Sequence, residues 1–179
     1  SDANNCNKIE CVDISDRPGF MATISAVTKT SCFGVCDGTA EVAVTGAYGP
    51  VSYSWNTNPN SQTSVKATGL CAEDYIVTIK DSVGCKDTLH VKIVQPTKVV
   101  LDPMPVVKLC IGSSATLNAV AHGGDGNYKY TWAEFPDTTA SVSVTPKVST
   151  DYHVTVRDGA GCVSDPLKIK VVVNPPLKV

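Results

Sequence analysis

Two stretches of this 179-residue chain repeat each other at a nearly constant offset. The matching segments are GAYGPVSYSW (46–55) with GGDGNYKYTW (123–132), and DYIVTIKDSVGC (74–85) with DYHVTVRDGAGC (151–162). Trp55 and Trp132 are 77 positions apart, and so are Cys85 and Cys162. An offset shared by so many positions indicates two copies of one fold.

Within each copy, short alternating apolar and polar stretches are separated by Gly, Pro and Asn turns, a pattern that predicts strands. The first copy has ATISAVTKT, TAEVAVTG, VSYSW, TSVKATG, DYIVTIKD and KDTLHVKIV, and the second has VVKLC, SATLNAVA, NYKYTW, ASVSVTP, TDYHVTVRD and SDPLKIKVVV. Helical spacing of apolar residues is absent from the sequence. The pattern predicts an all-β fold of tandem immunoglobulin-like β-sandwich modules with disulfides, each with about seven short strands.

The repeat also predicts the domain boundaries. We assign residues 21–97 and 98–179 to two full modules. Residues 2–18, from Asp2-Ala-Asn-Asn-Cys6 to Pro18, match the segment that starts at Asp81 in the first module. We therefore expect residues 1–20 to be the last strand of an upstream repeat, and the chain to be an excerpt of a longer array. The strand at 8–17 would be suited to strand addition in a filament of several copies.

Four aromatic residues have positions that such sandwiches reserve for the core. Trp55 and Trp132 lie on the third predicted strand, and Tyr75 and Tyr152 open the sixth, where a tyrosine corner is expected. We predict a structural role for all four rather than ligand stacking.

Composition and charge exclude some functions. The eight cysteines, at positions 6, 11, 32, 36, 71, 85, 110 and 162, indicate a disulfide framework in an oxidising compartment. Only Cys32 and Cys36 have a metal-like spacing, and neither a second close pair nor a nearby His completes a zinc site. A net charge of −2 argues against nucleic-acid binding. We expect no membrane span, because the sequence has no apolar run of about 18 residues.

The first module resembles a known family. SCFGVCDGTAEVAVTGAYGPVSYSWNTNP, TGLCAEDYIVTIKDSVGC and IVQP, within residues 23–97, look like the SprB-type repeat, although Glu73-Asp74 and Ala47-Tyr48 depart from its usual glycines. Residues 98–179 are similar to the PKD-like or Ig-like modules of the same proteins, through Cys110-Ile-Gly, Gly123-Gly124, Tyr130-Thr-Trp132 and Asp158-Gly-Ala-Gly-Cys162. The resemblance implies a secreted, cell-surface adhesin, gliding-motility or filament component of Bacteroidetes, exported by type IX secretion. Its expected partners are neighbouring repeats, surface glycans or other copies in a filament.

Cys36 and Cys71 occur only in the first module, in its A–B and E–F connections at one pole, and we predict that they pair. For the remaining cysteines the simplest arrangement, which co-occurrence in the family also favours, is pairing within modules: Cys32–Cys85 and Cys110–Cys162.

Geometry offers an alternative pairing. In an immunoglobulin-like topology the A–B and F–G turns lie at opposite poles, about 30 Å apart along a nine-residue strand, whereas a disulfide requires Cα atoms about 5.5 Å apart. Cys32 would then pair with Cys162, and Cys6 and Cys110 would bond neighbouring modules. Both arrangements remain open from the sequence, as does the partner of Cys11.

No catalytic constellation emerges, and we expect the chain not to be an enzyme. His90, His122 and His153 lie in or at the end of strands without a triad or metal-ligand motif. We expect no cofactor. Structural calcium is the alternative role for the turn residues Asp37, Asp81, Asp125 and Asp158, for which local hydrogen bonding is the default.

Two polar loops at the sandwich poles are candidate binding surfaces. Their residues are Asn56, Asn58, Asn60, Glu134 and Asp137. A glycan- or protein-binding accessory module of a secreted multidomain hydrolase is therefore the alternative function.

Overall fold

A computed structural model describes residues 19–57 and 61–175. These residues form an all-β structure of two compact units, and no helix occurs among them, hence none that could cross a membrane. The first unit comprises the chain up to Lys29 together with Cys36–Val94, and the second comprises Thr30–Val35 together with the chain from Gln95 onward. The predicted remnant at 1–20 lies almost wholly outside the described residues, as do Cys6, Cys11, the strand at 8–17, Asn58 and Asn60.

Unit 1 is a sandwich of two antiparallel three-stranded sheets. Its strands are β1 (Met21–Thr28), β2 (Gly38–Thr45), β3 (Ser52–Trp55), β4 (Lys66–Leu70), β5 (Asp74–Lys80) and β6 (Lys86–Lys92). One sheet has the order β1-β2-β4 and the other β3-β5-β6. Alternate residues of β2 and β5 are buried, because successive side chains of a strand point to opposite faces. The unit thus has six described strands rather than about seven.

Unit 2 has eight described strands in three sheets. Its strands are β7 (Val100–Leu101), β8 (Val107–Cys110), β9 (Ala115–Asn118), β10 (Ala121–His122), β11 (Lys129–Trp132), β12 (Ser141–Val144), β13 (Thr150–Arg157) and β14 (Leu167–Asn174). β7 pairs with β10, β9 pairs with β12, and the larger sheet has the order β11-β13-β14-β8. β8 runs parallel to β14, whereas the other pairs of the unit are antiparallel.

The two predicted tryptophans occupy equivalent core positions. Trp55 is 0% exposed and Trp132 is 2% exposed. In both units the indole Nε1 donates a hydrogen bond of 2.9 Å to a backbone carbonyl of the next loop, that of Ser64 in unit 1 and that of Thr139 in unit 2. Each ring is therefore buried with its single donor satisfied, and the predicted core role is confirmed.

The two tyrosines are also buried, but their contacts differ. The Tyr75 hydroxyl accepts a hydrogen bond of 3.0 Å from the backbone N–H of Cys71, four residues upstream, which is the geometry of a tyrosine corner. Tyr152 instead stacks on Phe135, with ring centroids 5.6 Å apart. The second module thus keeps the buried ring and holds it through an aromatic neighbour.

Two disulfides are described. Cys36–Cys71 joins the segment before β2 to the segment after β4, as predicted. The other joins Cys32 to Cys162. The within-module pairings Cys32–Cys85 and Cys110–Cys162 are therefore wrong, and the alternative that followed from topology is the one observed.

The strand registers explain why the within-module pairs do not form. In unit 1, Gly38 at the start of β2 pairs with Leu70 at the end of β4. The β1–β2 connection therefore lies at the same end of the unit as Asp74, where β5 starts. Cys85 lies beyond the other end of β5, and a seven-residue strand spans about 23 Å.

The same separation applies to unit 2. Cys110 pairs with Asn174 at the end of β14, whereas Cys162 precedes the start of that strand at Leu167. The eight residues of β14 span about 26 Å, far beyond the reach of a disulfide.

Candidate functional site

The turn between β13 and β14 holds Cys162 in a fixed position. Asp158, which is 5% exposed, accepts a hydrogen bond of 2.8 Å at Oδ1 from the backbone N–H of Cys162. The backbone N–H of Asp158 donates in turn to the carbonyl of Cys162 (3.0 Å). Gly161 has a φ of 92°, a backbone conformation that other residues rarely adopt. This geometry explains the Asp-x-x-Gly-Cys motif: Asp closes the turn, Gly reverses the chain, and Cys is presented at the end.

The equivalent turn of unit 1 has the same construction. The Oδ1 atom of Asp81 accepts hydrogen bonds from the backbone N–H groups of Cys85 (2.9 Å) and Val83 (3.1 Å). Gly84 has a φ of 96°. The motif therefore specifies one local structure in both copies.

The partner of Cys162 lies in a short turn of its own. Within Thr30–Val35, the carbonyl of Cys32 accepts a hydrogen bond of 3.3 Å from the backbone N–H of Val35, and Gly34 has a φ of 74°. The N–H of Gly34 donates to Oε1 of Gln95 (2.8 Å). Cys32 also packs against the hydrophobic core of unit 2. Although these residues connect β1 to β2 in the chain, they are part of unit 2 and not of the module predicted at 21–97.

A second loop supports the β13–β14 turn. Asp158 Oδ2 accepts a hydrogen bond of 3.2 Å from the backbone N–H of Asp125, and Asp125 Oδ1 accepts one of 3.0 Å from the N–H of Gly159. The backbone N–H of Asn127, followed by that of Gly159, lowers the pKa of Asp125 below its ordinary 3.8. The two carboxylates are thus occupied by backbone donors, which is the turn-forming role weighed above against calcium binding.

Two predicted binding residues instead complete strand pairing. In unit 1, Asn56 Oδ1 accepts a hydrogen bond of 2.6 Å from the backbone N–H of Ile76. In unit 2 the equivalent N–H, that of His153, donates to Glu134 Oε2 (3.1 Å). Burial raises the pKa of Glu134, but the backbone and side-chain hydrogen bonds from His153 together outweigh it, so this pKa lies below its usual value. Asp137 is exposed on the same loop and remains a candidate contact residue.

In the part of the chain that the structure describes, the remaining chemistry-bearing groups do not converge on a site. Of the histidines, His90 is exposed on β6, His122 lies 2.8 Å from the carboxylate of Asp102, and His153 contacts Glu134. Within residues 19–57 and 61–175, no group of three or more His, Cys, Asp and Glu residues could hold a metal ion. A depression of about 150 Å³ between Val100 and Pro166 is smaller than the roughly 300–1,000 Å³ of typical ligand pockets.

One signal in the sequence points to the site of the Cys32–Cys162 disulfide. The Asp-x-x-Gly-Cys motif recurs in both copies, which marks its turn as a constructed position for a cysteine. The contribution of Gln95 was missed, since a glutamine next to a proline carries no distinctive pattern.

Comparison with known proteins gives a partial match. Residues 24–60, which include Cys32, Cys36 and Trp55, match the family model described as the SprB repeat. The comparison with curated proteins gave no match.

Similar solved structures include immunoglobulin modules and fibronectin-like modules. They include the fibronectin(III)-like modules of Clostridium thermocellum CbhA, with 19% identity over 87% of this chain and 95% of that chain and a TM-score of 0.36. Immunoglobulin domains 1–5 of Sidekick-1 are 11% identical over 88% and 40%, with a TM-score of 0.39. Extracellular domains 3–5 of Drosophila OTK are 12% identical over 86% and 62%, with a TM-score of 0.41.

The chain spans less than two thirds of the Sidekick-1 and OTK fragments. The SprB match, the sandwich fold and the disulfides together indicate an extracellular structural repeat module, a class that is typically non-catalytic.

Proposed function

We propose that the chain is a load-bearing segment of a large secreted cell-surface protein, an adhesin or a component of gliding motility or of a surface filament. The observation that carries the proposal is the disulfide between Cys32 and Cys162, which closes a loop with a sequence separation of 130. The SprB match at residues 24–60 supports the finer assignment to gliding Bacteroidetes and type IX secretion. We also propose that residues 98–179 are a PKD-like or Ig-like module.

The disulfide determines how the chain carries tension. A protein anchored at a cell and attached to a surface is pulled from its two ends. Tension then passes from Cys32 to Cys162 through the sulfur–sulfur bond, because this bond is the shortest covalent path. The strands β2 to β13 all lie inside the closed loop and carry no axial load. Among the described strands, β1 and β14 alone stand in the path of the force, so the strands between Cys32 and Cys162 are not extended directly.

Single-molecule pulling tests this mechanical role. The oxidised chain, held at its ends, should show no release of the Cys32–Cys162 loop. After reduction, unfolding should release about 430–470 Å of additional chain, the extended length of 130 residues. In the Cys162→Ser variant without reductant the release should be about 310–340 Å, because Cys36–Cys71 still closes 35 residues.

Cys71→Ser is the matched control, since its disulfide lies wholly inside the larger loop. The oxidised control should extend no further than the wild type. Full release from the oxidised wild type would contradict the load-bearing role.

Surface location and adhesion need separate measurements. An antibody raised against the chain should label intact cells of the source organism. Labelling that appears only after permeabilisation would contradict a cell-surface role. Specific hits on a glycan array would show a binding role, and a hydrolase domain in the same full-length polypeptide would then favour the accessory module over the adhesin.

A further inference from the structure

We propose that Cys110 is a second linking site, whose thiol forms a disulfide with the cysteine of an Asp-x-x-Gly-Cys turn in a module that follows unit 2. The inference rests on the proposed role of the chain as a segment of a repeat array. It adds the identity of the linking residue and the chemistry of its partner.

Cys110 lies in a turn with the same construction as the turn that contains the bonded Cys32. Its carbonyl accepts a hydrogen bond of 3.0 Å from the backbone N–H of Ser113, three residues on, as that of Cys32 does from Val35. Gly112 has a φ of 82° and Gly34 a φ of 74°, each two residues after the cysteine. The Cys-x-Gly motif thus builds one turn twice, and in the first copy this turn carries the disulfide.

Each of the two turns also donates a backbone hydrogen bond to a residue that precedes a proline near the end of a repeat copy. The N–H of Gly34 donates to the side chain of Gln95, the residue before Pro96. In unit 2 the N–H of Ile111 donates to the carbonyl of Asn174, the residue before Pro175 (3.2 Å). The second turn is therefore placed where the chain leaves unit 2, as the first turn is placed where the chain enters it.

The thiol at this position is accessible. Among the described residues Cys110 has no disulfide partner, and it is exposed. The apolar residue that follows it, Ile111, is 51% exposed, close to the 49% of Phe33 after Cys32.

The partner is defined by the turn that binds Cys32. In that turn the Asp158 carboxylate accepts a hydrogen bond from the backbone N–H of Cys162, and Gly161 has a positive φ. The Cα atoms of the bonded Cys32 and Cys162 are 5.6 Å apart. A following module with an Asp-x-x-Gly-Cys turn can meet this requirement. The reaction joins two thiols into one disulfide with release of two protons and two electrons. A small disulfide such as oxidised glutathione accepts both and leaves as two thiols.

An extended chain tests the proposal. Residues 96–179 are joined directly after Asn174, because Asn174-Pro175 corresponds to Gln95-Pro96. After oxidation with oxidised glutathione, we expect a peptide that links Cys110 to Cys162 of the appended copy. Cys110 of the appended copy should still react with iodoacetamide, which provides an internal control. Substitution of Cys162→Ser in the appended copy should restore full alkylation of the first Cys110.

Two outcomes would overturn the proposal: equal alkylation of both Cys110 thiols in an extended chain whose added tryptophan is buried, or a Cys110 linked only to glutathione. A second measurement does not depend on the folding of a variant. In protein taken from the source cells with thiols blocked at once, the Cys110 peptide should be linked to a peptide containing Asp-x-x-Gly-Cys, and a blocked Cys110 would refute the link. Either failure leaves the pulling result for the Cys32–Cys162 loop unaffected.

Discussion

Cys32 and Cys162 are bonded across a sequence separation of 130, and their Cα atoms lie 5.6 Å apart. The bond joins the segment Thr30–Val35 to the turn between β13 and β14. In the sequence this segment lies between β1 and β2, but it belongs to unit 2, as the turn does. Constraint of such a long loop removes many conformations from the unfolded chain, so the bond stabilises the folded state chiefly through the unfolded one.

Removal of this bond should therefore be costly. We expect the double variant Cys32→Ser/Cys162→Ser to lose about 3–5 kcal/mol of unfolding free energy, as loop-closure entropy predicts for a loop of this length. Urea denaturation followed by far-UV circular dichroism measures the loss. Cys110→Ser is the control, because it removes an exposed thiol, and it should change the midpoint little. Equal midpoints for the control and the double variant would contradict the stabilising role.

The β13–β14 turn should depend on the buried carboxylate of Asp158. Its two oxygens accept hydrogen bonds from the backbone N–H groups of Cys162 and Asp125. The substitution Asp158→Ala leaves both donors without this acceptor. We expect a loss of about 1–3 kcal/mol of unfolding free energy, the usual cost of unsatisfied buried donors. Asp165→Ala is the control, since its side chain is 84% exposed and its ion pair with Lys98 is worth less than about 1 kcal/mol. If both variants denature at the same urea concentration, the turn is not held by Asp158.

The positions that the sequence predicted correctly are those fixed by the repeat itself. Trp55 and Trp132 share an offset and a strand position, and burial of a large ring on a short strand is a requirement of the sandwich. Such positions depend on hydrophobic alternation, which is visible in a single sequence. The pairing of Cys36 with Cys71 has a different ground, because both occur only in the first module and lie in connections at one pole.

Other features depended on contacts that repetition alone does not determine. A cysteine that recurs in each copy can bond within its copy or to the next, and only the strand register decides against Cys32–Cys85. Asn56 and Glu134 read as polar loop residues, yet each accepts the same backbone donor of the neighbouring strand through a different side chain. The partner of a polar side chain depends on three-dimensional proximity, which periodicity does not report.

The loop that supports Asp158 should not tolerate a side chain at Gly124. This residue has a φ of 61°, and an added Cβ would lie 2.2 Å from Asp158 Oδ2 and 2.7 Å from Val99 Cγ2. Gly126→Ala is a matched control, because Gly126 has a φ of 82° but nothing within 4 Å of an added Cβ. Both substitutions incur the strain of positive φ, about 1–2 kcal/mol. Gly124→Ala should cost about 1–3 kcal/mol more through overpacking, measured by urea denaturation. Equal losses would show that the loop adjusts freely.

Asp125 should make unit 2 sensitive to acid. Hydrogen bonds from the backbone N–H groups of Asn127 and Gly159 hold the pKa of Asp125 below 3.8 in the folded chain, whereas the unfolded carboxyl titrates near its ordinary value. A group whose pKa is lower in the folded state contributes stability above the unfolded pKa, and this contribution disappears as the pH falls through the folded pKa. The melting temperature of the wild type should therefore fall as the pH is lowered from about 5 to 2.5.

In Asp125→Asn this fall should be shallower, because the ionisable group is gone while one acceptor oxygen remains. Melting curves over that pH range compare the two proteins, with Asp137→Asn as a control that removes an exposed carboxylate of another loop. Some acid sensitivity should persist in Asp125→Asn, since Lys168 lowers the pKa of Asp151 through a side-chain hydrogen bond. Parallel melting curves for wild type and Asp125→Asn would show that the backbone donors do not favour the ionised carboxylate. A fall in Asp137→Asn as shallow as that in Asp125→Asn would show that the effect is not specific to Asp125.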